Sequence, residues 1–245
     1  MENPIVERKY IFFSSARVIL NDNLFLSLVK KKAYSYIVGV SHKKLPVGPD
    51  IKIKHKKTIN IYLNGTFDDI FKKFNDTSRN EIRKTFNMKE YFFKQGDVDM
   101  DAVYALYKPH RIEKKLEVRR KSFLAPCLIF TAYYNNELIS VITCYDAKPY
   151  LRIQNIFSKL SNDDKEIRRI TGYASRRLVY ELCKYGNQRG YILLDMASAN
   201  FTDPGKAGIT QFKNSFGGRI EDEYIYTYRN TIPRILGNLK TWIKR

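Results

Sequence analysis

Apolar positions along this chain recur first with a period of two, then at helical spacing, then at two again. KYIFFSSARVIL and AYSYIVGV are rich in β-branched and aromatic residues and read as strands ahead of the loop-like SHKKLPVGPD (41–50). IKIKHKKT (51–58) alternates apolar and basic residues, as a strand with one wet face does, and TINIYLN is a further strand closed by Asn64-Gly65. Thr66 then caps a helix carrying Phe67, Ile70, Phe71 and Phe74 on one stripe. Ser78 and Glu81 have capping-box spacing and open a second helix, with Ile82 and Phe86 inward and Arg79, Arg83 and Lys84 outward. A third helix is expected from near Asp97, with Val103, Leu106 and Tyr107 as its apolar face.

Beyond it the pattern returns to strands. APCLIFTAYY and ELISVITCYD flank Asn135-Asn136, a dipeptide suited to a tight hairpin turn, and YLRIQNIFSKL follows as a third strand. The next helix has Leu178, Val179, Leu182 and Cys183 inside, with Gly186 as its stop. YILLDMAS reads as a buried strand, AGITQFKNSF as a helix and EDEYIYTYR as a tyrosine-rich strand. A last helix is capped by Thr231, with Pro233 in its first turn and Ile235, Leu236, Leu239, Trp242 and Ile243 on a face that packs on its own core or on a second copy. The pattern predicts a mixed α/β sheet with helices on both faces, ordered β-α-β-β-β-α-β-α-β from residue 88, and a division into an N-terminal α/β lobe (1–87) and a second domain (88–245).

Charge changes the picture more than composition does. The chain carries 44 Lys and Arg against 25 Asp and Glu, a net charge of +19, and residues 1–87 hold about half of the excess. A dispersed positive field draws polyanions: nucleic acid, acidic lipid, or phosphorylated small molecules such as coenzyme A and nucleotide sugars. Cys127, Cys144 and Cys183 are scattered without a CxxC pair and read as core residues of a reducing compartment. MENPIVERKY lacks the features of a signal peptide, and no apolar run reaches the ~18 residues of a membrane span, so a cytoplasmic protein is expected. His42, His55 and His110 share no spacing with one another or with an acid, so neither a metal site nor a Ser-His-Asp triad is indicated.

RRITGYASRR (168–177) contains Arg169-x-x-Gly172-x-Ala174 between a strand and a helix. That spacing suits a phosphate cradle at a helix N-terminus, and equally an ordinary glycine in a first helical turn. With the element order, this turn resembles the GNAT superfamily of acyl-CoA-dependent N-acyltransferases. SRNEIRKTFN (78–87) and GITQFKNSFGG (208–218) are similar to paired signatures of its FemABX-like branch, and the resemblance covers roughly residues 60–220.

The resemblance implies direct attack of an amine on a thioester or ester carbonyl, without a metal and without a covalent enzyme intermediate. It places the pyrophosphate of acyl-CoA on the amides of Thr171, Gly172, Tyr173 and Ala174, helped by Arg168 or Arg169, with the strands 150–160 and 190–197 bracketing the acyl arm. Asn200 matches an asparagine that contacts CoA, or is a turn residue. Lys213 of the Phe-Lys signature stabilises charge at the reacting carbonyl or holds a substrate phosphate, or is a solvated helix lysine. Phe212 stands where many relatives carry a tyrosine acid. Asp195, inside LLDMA, is a general base if it faces the cleft and otherwise a structural carboxylate. Arg79, Arg83 and Lys84 clamp a nucleotide diphosphate or form a wet helix face.

Three functions follow. The first is acyl transfer from acyl-CoA to the amine of a nucleotide-linked aminodeoxy sugar for surface polysaccharides. The second is FemABX-type transfer from aminoacyl-tRNA in peptidoglycan synthesis, which the FemABX enzymes usually perform with two tandem lobes in a longer chain. The third is a non-enzymatic nucleic-acid-binding module.

Overall fold

The computed structural model of the chain describes residues 5–9, 13–160 and 163–230. The terminal helix expected from Thr231 lies outside them. Ten strands form a single mixed sheet: β1 (Ile5–Lys9), β2 (Ser14–Ile19), β3 (Tyr36–Ser41), β4 (Ile51–Tyr62), β5 (Tyr91–Gln95), β6 (Leu128–Tyr134), β7 (Glu137–Ala147), β8 (Tyr150–Ser158), β9 (Leu193–Ala199) and β10 (Arg219–Arg229). Among the described residues six α-helices connect them: α1 (Asp22–Lys30), α2 (Phe67–Lys72), α3 (Asp76–Asn87), α4 (Met100–Glu113), α5 (Lys165–Gln188) and α6 (Ala207–Asn214). Among these helices none is long and apolar enough to cross a membrane.

The sheet order is β1-β2-β3-β10-β4-β9-β8-β7-β6-β5. Only β2/β3 and β8/β9 pair in parallel; the other neighbours are antiparallel. The predicted division at residue 87 does not part the sheet, because β4 lies between β9 and β10 and is bonded to both. The expected hairpin is present, with Asn135 and Asn136 both at positive φ, as a primed turn requires.

One face of the sheet carries the main core. Ile59, Ile61, Leu194 and Met196 point to it and meet Ile70, Phe74 and Ile82 of the α2–α3 region, Ala174, Leu178 and Leu182 of α5, and Phe216 beyond α6. Phe25 of α1 packs on Val18, Ile37 and Tyr226. The opposite face holds α4, whose Val103 and Tyr107 sit on Ile129, Val141 and Phe157. On that same face Val6, Ile19 and Val40 from β1–β3 touch Tyr145 and Ala147 of β7. Strands so far apart in the sheet order meet only because the sheet curls, which leaves this second face concave.

Three local expectations are corrected. The second helix is capped by Asn75, whose side chain accepts from the Ser78 amide at 2.9 Å, while Ser78 is buried and donates to Ser215. Phe86 is exposed, but its ring lies 3.8 Å from the Arg177 guanidinium carbon, so an aromatic–cation contact replaces the core contact. Gly186 does not end α5. The stop is Gly190 at φ +71, with Tyr191 N bonding Gly186 O (2.9 Å) and Gly190 N bonding Asn187 O (3.2 Å). Gly186 serves packing instead, since a Cβ there would lie 2.5 Å from Leu63 Cδ1.

Candidate functional site

The RRITGYA turn is not at the tip of its helix. Asp164 caps α5 four residues before Arg168, its carboxylate accepting from the amides of Glu166 (2.8 Å) and Ile167 (3.1 Å). The amides of Thr171, Gly172, Tyr173 and Ala174 therefore lie inside α5, committed to the helix's own carbonyls, and cannot cradle a pyrophosphate. The other groups of the turn are engaged as well. Thr171 returns its hydroxyl to Ile167 O (2.7 Å), Ala174 is fully buried, and the Tyr173 hydroxyl accepts from Lys84 at 3.4 Å. Arg168 and Arg169 are exposed and pair with Asp163 (3.4 Å) and Glu166 (2.6 Å). A helix tip holding Asp163, Asp164 and Glu166 already carries the negative charge that the dipole attracts.

The α3 cations are spread in the same way. Arg79 bonds Lys72 O at 2.5 Å and Asp76, Arg83 lies 5.7 Å from the Phe71 ring, and Lys84 turns to Tyr173. Nothing converges them on one point. Asn200 is a turn residue, its Oδ1 accepting from the amides of Thr202 (3.0 Å) and Asp203 (3.1 Å).

The open site lies where the parallel strands separate. β8 and β9 are paired only at Tyr150/Leu193, Leu151/Leu194 and Arg152/Asp195. Beyond Arg152, β8 stays with β7, while β9 leans away with β4 through a bulge between Thr58 and Asn60. At the bulge Ala197 stands at φ +60, a strained conformation for a non-glycine residue.

A buried ionic network fills the base of this splay, on the concave face. The Arg152 guanidinium donates to Asp195 and to Glu223, all three out of solvent. Asp195 also accepts from Thr58 Oγ1 (2.5 Å) and the Ala197 amide (2.7 Å), and lies 3.1 Å from His42 Nε2. Burial opposes ionisation of Asp195, but Arg152, His42 and Thr58 outweigh it and hold the carboxyl well below the usual range. An acid held that far below its range accepts protons poorly, so Asp195 anchors and orients its neighbours and is not itself the base. Glu223 accepts from Ser198, whose hydroxyl takes a bond from Lys56 at 3.3 Å.

Lys213 sits behind β9, donating to the carbonyls of Ala197 (3.1 Å) and Ser198 (2.8 Å). Burial lowers its pKa to about 8. The surrounding signature is structural: Phe216 is fully buried between Phe74 and Phe212, and a Cβ on Gly217 (φ +67) would strike the Lys73 carbonyl. This motif thus fixes Lys213 against the strained end of β9.

Above the network is a cavity of about 220 Å³, lined by Arg17 of β2, Tyr107 and Arg111 of α4, Arg119 and Phe123 from the loop after it, Tyr145, Arg152, Gln154 and Asn155 on β7–β8, and Ala197. His42, Arg17, Arg111, Arg119, Arg152 and Glu223 escape sequence reasoning because separations such as the 153 residues between His42 and Asp195 leave no spacing to read. The one signal was a charge at an inward strand position, as in YLRIQNIF and EDEYIYTYR. Among the described residues no group of three His, Cys, Asp or Glu comes together as metal ligands would.

No known protein family matches this sequence, and no curated protein is similar to it. Solved structures are similar in fold. FemX superposes with a TM-score of 0.62 at 11% identity, over 94% of this chain and 84% of its own. L-PGS from Bacillus licheniformis gives 0.52 at 14% identity, over 94% and 83%. A conserved protein of unknown function from Bacteroides thetaiotaomicron gives 0.52 at 13% identity, over 87% and 79%. The chain therefore has a mixed α/β fold of the kind seen in FemX.

Proposed function

We propose that the protein is an N-acyltransferase that joins an acyl group to an amine within the splay of β8 and β9. The single observation that carries this reading is the parting of the two parallel strands just beyond Arg152 and Asp195, onto a buried polar network and an open cavity. Parallel strands that diverge leave a crevice at their carboxyl ends, where ligands of α/β sheets settle. FemX supports the reading as a structure of the same fold.

The residues divide the work as follows. The imidazole of His42 takes the proton of the attacking amine: its Nε2–H is directed to Asp195, which leaves Nδ1 with a free lone pair. Lys213 holds the ends of β9 through two of its N–H groups and places a positive charge behind the strand where negative charge grows in the tetrahedral intermediate. The donor is acyl-CoA and the acceptor the amine of a nucleotide-linked aminodeoxy sugar.

A second reading, transfer from aminoacyl-tRNA, is favoured by one observation: the α5 tip that should hold the pyrophosphate of CoA is closed by Asp164. FemX, 84% of whose chain is covered, supports keeping this reading beside the first.

Melting with millimolar acetyl-CoA tests the donor. Ligand at ~100 times its Kd adds ~2.7 kcal/mol, which is roughly 5–10 °C for a chain of this size. Such a shift, with release of the CoA thiol when amino-sugar nucleotides are added, supports the first reading. No shift, together with salt-sensitive binding of charged tRNA, moves the donor to the second. Absence of transfer from either donor rejects both.

A further inference from the structure

The cavity over the splay has an electrostatic imbalance that the described residues do not resolve. Arg152 is neutralised by Asp195 and Glu223, and Arg119 pairs with Glu117 at 3.2 Å. Arg111 spends its Nε on the Glu117 carbonyl (3.0 Å) and meets no carboxylate among the described residues. Arg17 is the sharper case. It projects from β2 on the same face as Ile19, is half-buried, and its guanidinium has no hydrogen-bond or ion-pair partner among the described residues. Burial, with Arg119 and Arg152 nearby, pulls its pKa below the ordinary value.

A half-buried guanidinium without a partner carries part of the desolvation cost of its charge, and that cost is offset when an anion supplies the missing oxygens. The cavity offers more than charge. The Tyr145 hydroxyl receives the Gln154 amide at 2.7 Å, and its own proton is directed to no acceptor among the described residues. The cavity, about 220 Å³, has room for one or two phosphoryl groups. Planar, forked donors from several directions match the tetrahedral oxygens of phosphate.

We infer that Arg17, Arg111 and Arg119, with the Tyr145 hydroxyl, form a binding site for the phosphate or diphosphate of an organic substrate, with its remaining part reaching along the β8/β9 splay. The inference deepens the acyltransferase reading by moving phosphate recognition from α3 and the α5 tip to the concave face. It can stand if that reading fails, because phosphate binding is measured without turnover.

The test is calorimetric titration of the full-length protein with inorganic pyrophosphate at constant ionic strength, for the native chain, Arg17→Met, Arg111→Gln and the exposed control Arg219→Gln. Loss of one charge-assisted contact is worth ~10–100-fold in Kd. The expected result is that weakening for Arg17→Met and Arg111→Gln and an unchanged Kd for Arg219→Gln. Arg17→Met should also melt higher than the native chain in the absence of phosphate, because a half-buried cation with no carboxylate partner is gone; this shows at once that the variant is folded. Repeating the titration with thymidine diphosphate and with acetyl-CoA assigns the phosphate to acceptor or donor, according to which one depends on Arg17. Equal pyrophosphate binding by all four proteins, or a lower melting temperature for Arg17→Met, overturns the proposal.

Discussion

The α5 tip and the β8/β9 splay are neighbouring parts of one fold with opposite electrostatics. The tip has the positive end of a helix dipole and the glycine-containing turn that suggests phosphate, yet Asp164 occupies its free amides and Asp163 and Glu166 pair with Arg168 and Arg169. The splay has no motif at all, yet Arg17 and Arg111 face its cavity without a carboxylate among the described residues. A motif states which residue types are present. Whether their donors are free depends on what else folds against them.

The largest expected effect separates the two regions through chemistry. His42→Gln should lower acyl transfer by ~10²–10⁴-fold with little change in donor KM. An unaltered rate would remove His42 from the reaction. Next comes stability. Arg152→Met leaves Asp195 and Glu223 buried without their cation and should cost about 3–5 kcal/mol in urea unfolding at neutral pH. Because the Asp195 pKa is depressed in the folded protein, its stabilising effect exists above the unfolded value near ~3.9 and fades as pH falls below it. The gap between native and variant should therefore narrow in acid. A constant gap would mean that the loss comes from packing.

Lys213 gives an effect of the same sign in an alkaline window. Folding lowers its pKa from 10.5 to about 8, so between those values the unfolded chain holds more protons and native stability rises with pH. Relative to Lys213→Met, the native protein should gain up to about 3 kcal/mol across that window, and parallel curves would show that Lys213 is solvated. The smallest effect probes the tip. Gly172 lies inside α5, and a Cβ there would find only Arg176 Nη1, at 3.6 Å. Gly172→Ala should therefore stabilise by about 0.5–1 kcal/mol and leave acetyl-CoA binding intact. Loss of that binding would return the tip to the site.

Elements with strong local signals were legible. Val103 and Tyr107, and Leu178, Val179, Leu182 and Cys183, are buried where their helical spacing places them, and Asn135-Asn136 makes its hairpin. Boundaries were harder where two signals compete. Ser78-x-x-Glu81 has capping-box spacing, yet Asn75 takes the cap because Ser78 is drawn into the Ser215 contact and Glu81 to Arg176 at 3.0 Å. α5 starts at Lys165, well ahead of its most regular apolar stripe, because Asp164 caps it there. In β4 the alternation is real, but Ile53 is 45% exposed while Thr58 and Asn60 are buried, so the expected wet and dry faces change along one strand.

By itself the sequence determined what local physics can decide: a mixed α/β chain, most of its helices and strands, a strongly positive surface, and the signature around Lys213 and Phe216. Only the tertiary structure decided which charges are spent and which are open. The curl of the sheet brings β2 to β7, and the order β10-β4-β9-β8 brings Glu223, Thr58, Asp195 and Arg152 onto one face. The reason is range. Periodicity and capping act within a few residues, whereas desolvation and Coulomb terms are set by whatever lies within several ångströms in space, at any distance along the chain.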